Sequence, residues 1–178
     1  MTIAPPSPTH LMKAKVHSVA ENVASRLKFK VGDAIEPLVV KLGGRIEYKT
    51  AEIVEGNLPE AIIVRAMDDF TIFLPSVTSL VRDRFTIAHE LGHLFLHYPL
   101  VSARQRGAIM IATRWVNKDN PDLIRTEWEA NWFAAAFLMP ATEFREIYTS
   151  NGRSIELTAR HFAVSPKAAE VRAQSLGC

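Results

Sequence analysis

Apolar and polar positions along the chain follow two different periods. Between residues 9 and 28, Leu11, Val16, Val19, Val23 and Leu27 recur at spacings of three to five with polar residues between them. That spacing predicts an amphipathic helix with one core-facing stripe. Asp33 and Glu36 stand at capping-box spacing, and Gly43 with Gly44 supplies a stop, so a shorter helix is expected over residues 33–42. The period then changes. Three short runs, residues 45–48, 61–65 and 71–74, are rich in Ile, Val, Phe and Tyr and are bounded by Gly56, Asn57, Pro59, Asp68, Asp69 and Pro75. They predict a small antiparallel sheet whose last two strands form a hairpin.

Helical spacing returns over residues 79–97, where Pro99 closes it. Residues 98–121 show no sustained period and are longer than ordinary connections, which marks either a functional loop or a hidden short element. A long helix is expected over 122–139, stopped by Pro140, and shorter ones over 142–149, 154–162 and 165–176. The last has Ser165 as N-cap and Pro166 at its first helical position. Helices around a small antiparallel sheet give an α+β fold class. Residues 1–10, with three prolines and no lysine or arginine, read as a disordered lead-in. Residues 11–178 read as one domain, with the helices of 154–178 packed on it.

Composition narrows the class. The chain has 178 residues, of which 48% are apolar and 22% charged, an ordinary balance for a globular protein. Its single cysteine, Cys178, has no partner for a disulfide and leaves nothing for a thiolate metal site. A net charge of +2 with mixed signs gives no electrostatic footprint for nucleic acid. The longest strongly apolar run, residues 132–139, is far short of the roughly 20 residues of a membrane span. No signal-peptide core follows the N-terminus, and a cytoplasmic location is expected.

The chemistry lies in His89-Glu90-Leu91-Gly92-His93, an H-E-x-x-H string inside a stretch that reads as helix on independent grounds. Two histidines four apart lie one above the other on a helix face, so both imidazoles can reach one metal ion. Glu90 is displaced by about 100° around the axis, close enough to a water at the metal to act as a base without being a ligand.

A catalytic zinc site needs a third protein ligand. His97 lies eight residues beyond His89 and about 80° off its face in an unbroken helix, so a structural role is expected for it. Glu127 and Glu129 sit on the next long helix. Glu127 shares a face with Asn131, one turn on, which places Asn131 to hydrogen-bond a ligating histidine. Glu129 points about 200° away from Glu127 and stays the alternative ligand. Tyr98, Tyr148, His161 and Arg84 are candidates to steady the oxyanion, and nothing in the sequence ranks them. An extended substrate is expected along an exposed sheet edge, with residues 71–74 as the candidate strand.

The blocks Arg84-Phe85-Thr86-Ile87-Ala88-His89-Glu90-Leu91-Gly92-His93-Leu94-Phe95-Leu96-His97 and Glu127-Trp128-Glu129-Ala130-Asn131-Trp132-Phe133-Ala134-Ala135-Ala136-Phe137-Leu138-Met139-Pro140 resemble the ImmA/IrrE family of metallopeptidases. The resemblance implies a zincin-like, specifically gluzincin-like, core. In it His89, His93 and Glu127 would bind one Zn²⁺ and Glu90 would be the catalytic base. It further implies an intracellular endopeptidase that cuts a helix-turn-helix transcriptional repressor, derepressing stress or mobile-element genes. The alternative is a zinc-binding regulator, or a DNA reader using residues 157–172 as a helix-turn-helix with Lys167 and Arg172 towards the groove. Direct nucleic-acid contact is not expected on the charge balance, and oligomeric state is not legible.

Overall fold

The structure is a computed structural model that describes residues 2–49, 60–113, 117 and 119–178, Glu60 by its backbone alone. Two helices come first after a short strand: β1 (Ile3–Ala4), α1 (Lys13–Leu27) and α2 (Glu36–Lys41). Three strands follow, β2 (Gly44–Lys49), β3 (Glu60–Ala66) and β4 (Asp69–Pro75). Next come α3 (Leu80–Gly92), a π-helical turn (His93–His97), α4 (Tyr98–Arg104) and β5 (Ile109–Thr113). The chain ends in α5 (Pro121–Leu138), α6 (Ala141–Ser150), α7 (Ile155–Phe162) and α8 (Pro166–Leu176). The fold class is α+β, as the periodicity predicts. The turn signals Gly56, Asn57 and Pro59 lie outside the described residues.

The sheet is mixed rather than antiparallel throughout, with strand order β1-β5-β3-β4-β2. The β3–β4 hairpin is present, but β2 runs parallel to β4 and β1 parallel to β5. A period of two reports that a segment is extended and says nothing about the direction of its neighbour, so sequence could not supply this. β4 lies between β3 and β2 with five consecutive buried residues. It therefore has no free edge, and residues 71–74 are not the strand that a substrate can extend. Gly43 turns α2 into β2 with φ +85°, and a Cβ there would sit 2.1 Å from the Asp68 carbonyl oxygen. Only glycine fits.

One continuous core joins the layers. Val16 and Ala20 of α1, Ile62 and Ile72 of the sheet, Ile87 and Leu91 of α3, Phe133 and Phe137 of α5, and Phe162 and Ala169 of the last helices belong to the same buried cluster. Ser154 and Ser165 cap α7 and α8 by accepting from Leu157 N–H and Ala168 N–H. Arg172 is 1% exposed. It donates to the Met139 carbonyl at 2.9 Å, contacts His17, and meets Glu21 at 3.3 Å. This tie of α8 to α1 and α5 takes Arg172 away from any groove that a DNA-reading face would present.

The lead-in is ordered, against expectation. Ile3 and Ala4 pair with Ile109 and Met110, Pro6 and Pro8 are buried, and Ser7 accepts a hydrogen bond from Arg104. Prolines fix φ and carry no N–H that needs an acceptor, which suits a strap that lies across other elements as well as it suits a free tail. Among the described residues no helix is long and apolar enough to cross a membrane.

Candidate metal centre

The centre is built where α3 crosses α5. Gly92 makes the approach possible: a Cβ there would lie 3.0 Å from Ala130 Cα and 3.2 Å from both the Ala130 carbonyl oxygen and Phe133 Cβ. With the helices this close, His89 and His93 on one side face Glu127 on the other. α5 begins at a strong cap, Asn120 accepting from Asp122 N–H and Leu123 N–H with Pro121 in the first turn. The cap fixes the phase that carries Glu127 and Asn131 inward.

Three side chains converge. His89 Nε2 lies 3.3 Å from Glu127 Oε2, His93 Nε2 lies 3.3 Å from Glu127 Oε1, and the two Nε2 atoms are 3.2 Å apart. Zinc bonds of about 2.0–2.1 Å in a tetrahedral arrangement place neighbouring ligand atoms about 3.3–3.4 Å apart. The spacing, together with two imidazoles and one carboxylate as donors, fits one such ion. Among the described residues this is the one group of three ligating side chains so disposed.

Each imidazole is oriented by its other nitrogen. His89 Nδ1–H donates to Asn131 Oδ1 at 3.0 Å, the pairing that the shared face of Glu127 and Asn131 anticipates. His93 Nδ1 is 3.0 Å from His97 Nδ1, and His97 Nε2 is 3.1 Å from Glu129 Oε2. A carboxylate only accepts, so His97 Nε2–H donates to Glu129 and His97 Nδ1 is left as the acceptor of His93 Nδ1–H. The chain of bonds leaves the lone pair of His93 Nε2 free to face the ion. Glu129 is anchored in turn by Thr9 N–H at 2.9 Å and Arg125 at 3.0 Å.

Electrostatics treat the two imidazoles differently. Burial lowers His93 to about 3, against the opposing pull of Glu127, so the ring is neutral and able to ligate. Burial also lowers His97, with Glu129 opposing. Burial alone would lower His89 too, but the hydrogen bond and charge of Glu127 and the charge of Glu90 outweigh it and raise the group. Burial would raise both glutamates. In Glu127 the hydrogen bonds from His89 and His93 reverse that, and in Glu129 those of His97, Thr9 and Arg125 bring the carboxyl down to about 2. Both carboxylates are charged at neutral pH.

The surrounding cleft is lined by Ala61, Phe85, Thr86, Glu90, Thr113 and the three converging residues with Asn131. Glu90 is 3% exposed. The oxyanion candidates all lie elsewhere. Tyr98 is buried and donates to the Arg65 carbonyl, Tyr148 stacks on Phe144, and His161 faces Glu143. Arg84 lies over the Phe29 ring and donates to the Asp33 carbonyl. Sequence reasoning expects a structural role for His97 and keeps Glu129 as an alternative ligand, and it misses that the two are linked and hold His93. The available signal was the repeat of the four-residue spacing, His89 to His93 to His97.

The model of the IrrE N-terminal-like domain, peptidase family M78, matches residues 64–174. The chain belongs to this family. Its members are peptidases that depend on a metal, and the matched region holds all three converging residues. A solved structure described as a Mycobacterium tuberculosis transcriptional regulator is similar in fold, with a TM-score of 0.58 and 16% sequence identity. The similarity covers 88% of this chain and 45% of that one, so the chain spans less than half the length of that relative. No curated protein matches.

Proposed function

We propose that the chain is a zinc-dependent endopeptidase that cuts a helix-turn-helix transcriptional repressor in the cytoplasm and so derepresses stress or mobile-element genes. The observation that carries the reading is the convergence of His89 Nε2, His93 Nε2 and Glu127 at the mutual spacing of ligands around one tetrahedral ion. Membership of a peptidase family supports the reaction class, and the fold likeness to a transcriptional regulator is in keeping with a regulatory setting.

When bound, the zinc ion polarises the scissile carbonyl and brings the pKa of a water towards about 7. Glu90 accepts the proton of the attacking water and delivers it to the leaving amine nitrogen. Asn131 holds the His89 ring, and the His97–Glu129 pair holds the His93 ring, so neither imidazole turns away as charge shifts during the reaction. The substrate backbone finds its partner in β5. Its residues 109 and 110 are covered by β1, on that side residues 111 and 112 have no strand partner among the described residues, and Thr113 lines the cleft. An extended peptide added there gains main-chain hydrogen bonds and a fixed register.

The test is incubation of the zinc-loaded chain with purified helix-turn-helix repressors, read by intact-mass spectrometry. Two fragments whose masses sum to the repressor plus one water are expected, and none with Glu90→Gln or after chelation. Repressors that stay intact, or equal cutting by Glu90→Gln, would contradict the reading.

A further inference from the structure

The cleft around the converging residues has a volume of about 240 Å³, below the roughly 300–1,000 Å³ of pockets that hold a whole ligand. It admits the scissile amide and little more, so the recognition of a polypeptide must fall on surface next to it. Phe85, Thr86 and Asn131 line both this cleft and a second, adjoining groove of about 780 Å³. This groove lies between α3, α5 and α8, with α1 at its side.

Its floor is apolar in a way that a solvent-facing surface is not. On α5, Trp128, Trp132 and Ala135 lie with Asn131 on one helix stripe, and an apolar stripe ordinarily packs against another element. Val81 and Phe85 of α3 and Val171 of α8 face the same space. Trp128 is 54% exposed and Val171 47%. Exposed apolar side chains lining a groove beside a cleft are placed to meet apolar groups of a ligand.

Charge says what the occupant is. Lys13, Arg82, Lys167 and Arg172 line the groove, and no described Asp or Glu does. Arg172 is held by Glu21, and Lys167 by Glu170. Lys13 and Arg82 make no ion pair among the described residues and are exposed at the rim. We propose that this groove binds the stretch of substrate polypeptide flanking the scissile bond, and that it selects a segment in which bulky apolar side chains are interleaved with Asp or Glu. Apolar side chains fill the space over Trp128, Trp132 and Val171, and the acidic ones meet Arg82 and Lys13. The proposal rests on the peptidase reading for the word substrate. The binding preference itself does not need turnover.

The test uses the full chain carrying Glu90→Gln, so that bound peptide stays whole, and three short fluorescein-labelled peptides read by anisotropy at about 0.1 M salt. The first interleaves Leu and Phe with Glu, the second replaces every Glu by Lys, and the third replaces every Leu and Phe by Ser. The first peptide should bind at least about tenfold more tightly than either twin. Arg82→Glu should weaken its binding by about fivefold or more and Val171→Asp by about tenfold, with metal content unchanged in both. Chelation should leave the order of the three peptides as it was. Equal binding of the three, no binding of the first up to about 1 mM, or indifference to both substitutions overturns the proposal. If the preference is present while the wild-type chain cuts no peptide, the groove stands and the peptidase reading fails. If the wild type cuts all three alike, the groove proposal fails and the peptidase reading stands.

Discussion

Glu90, Glu127 and Glu129 are three buried or half-buried carboxylates within one crossing of helices, and their neighbours give each a different task. Glu90→Gln keeps size and polarity but cannot take a proton, so it should lower peptide hydrolysis by about 10²–10⁴-fold while zinc content, read by metal analysis, stays at the wild-type level. Glu129 touches the ion only through His97 and His93. Glu129→Gln should therefore leave a site that still binds zinc, with affinity lowered by about 10–100-fold in a chelator competition. Unchanged affinity would show that the His97–Glu129 pair is bystander packing. The same carboxyl predicts an acid profile. Its pKa falls from 4.5 in the unfolded chain to about 2 in the folded one. It thus contributes stability that is fully present above pH 4.5 and is lost as pH falls towards 2. In urea unfolding of metal-free protein, the gap between wild type and Glu129→Gln should shrink across that window, and a constant gap would refute the assignment.

The elements differ in how plainly the sequence announces them. α1, α3 and α5 are legible because each must bury one stripe, and burial writes a helical period into the residue order. The hairpin of β3 and β4 is legible from its β-branched and aromatic runs and the Asp68-Asp69 turn between them. β5 is not: Ile109, Met110, Ile111 and Ala112 are apolar in both phases, so no alternation marks the strand. β1 has two residues, too few for any period. At Pro99 the sequence reads as a helix stop, yet the chain continues into α4. Proline in a first turn forfeits no intrahelical bond. The π turn before it, closed by Tyr98 N–H on the His93 carbonyl, shifts the helix phase and carries His97 beneath His93. The convergence of His89, His93 and Glu127 is legible in the spacing on their helices. The support through His97 is signalled by the repeat of the four-residue spacing, but no spacing pairs His97 with Glu129, which comes from another helix. The crossing at Gly92 yields an element-scale prediction. Gly92→Val should push α3 from Ala130, costing about 2 kcal/mol or more in chemical denaturation and lowering zinc affinity with it. Loss of stability with unchanged affinity would mean that the crossing does not set the ligand spacing.

Across the whole molecule the metal centre depends on parts remote in sequence. The strap of residues 2–11 supplies Thr9 to Glu129, and the C-terminal helices are tied back through Arg172 to Glu21 and the Met139 carbonyl. Glu21 also accepts from Ala141 N–H, so one carboxylate links α1, α6 and α8. Arg172→Met should strand that carboxylate and cost about 3 kcal/mol, a fall in Tm of about 6–12 °C, with zinc content unaltered. A fall under about 2 °C would show the tie to be dispensable. All these parts serve one arrangement, the convergence of His89, His93 and Glu127 where α3 crosses α5. Its most direct test is the metal content of the purified full chain after dialysis at neutral pH, compared with Glu127→Ala of matched circular dichroism. One zinc per wild-type chain and loss of it from the variant is the expected result. A wild-type chain that retains no divalent metal, or a Glu127→Ala chain that retains as much as wild type, would contradict it.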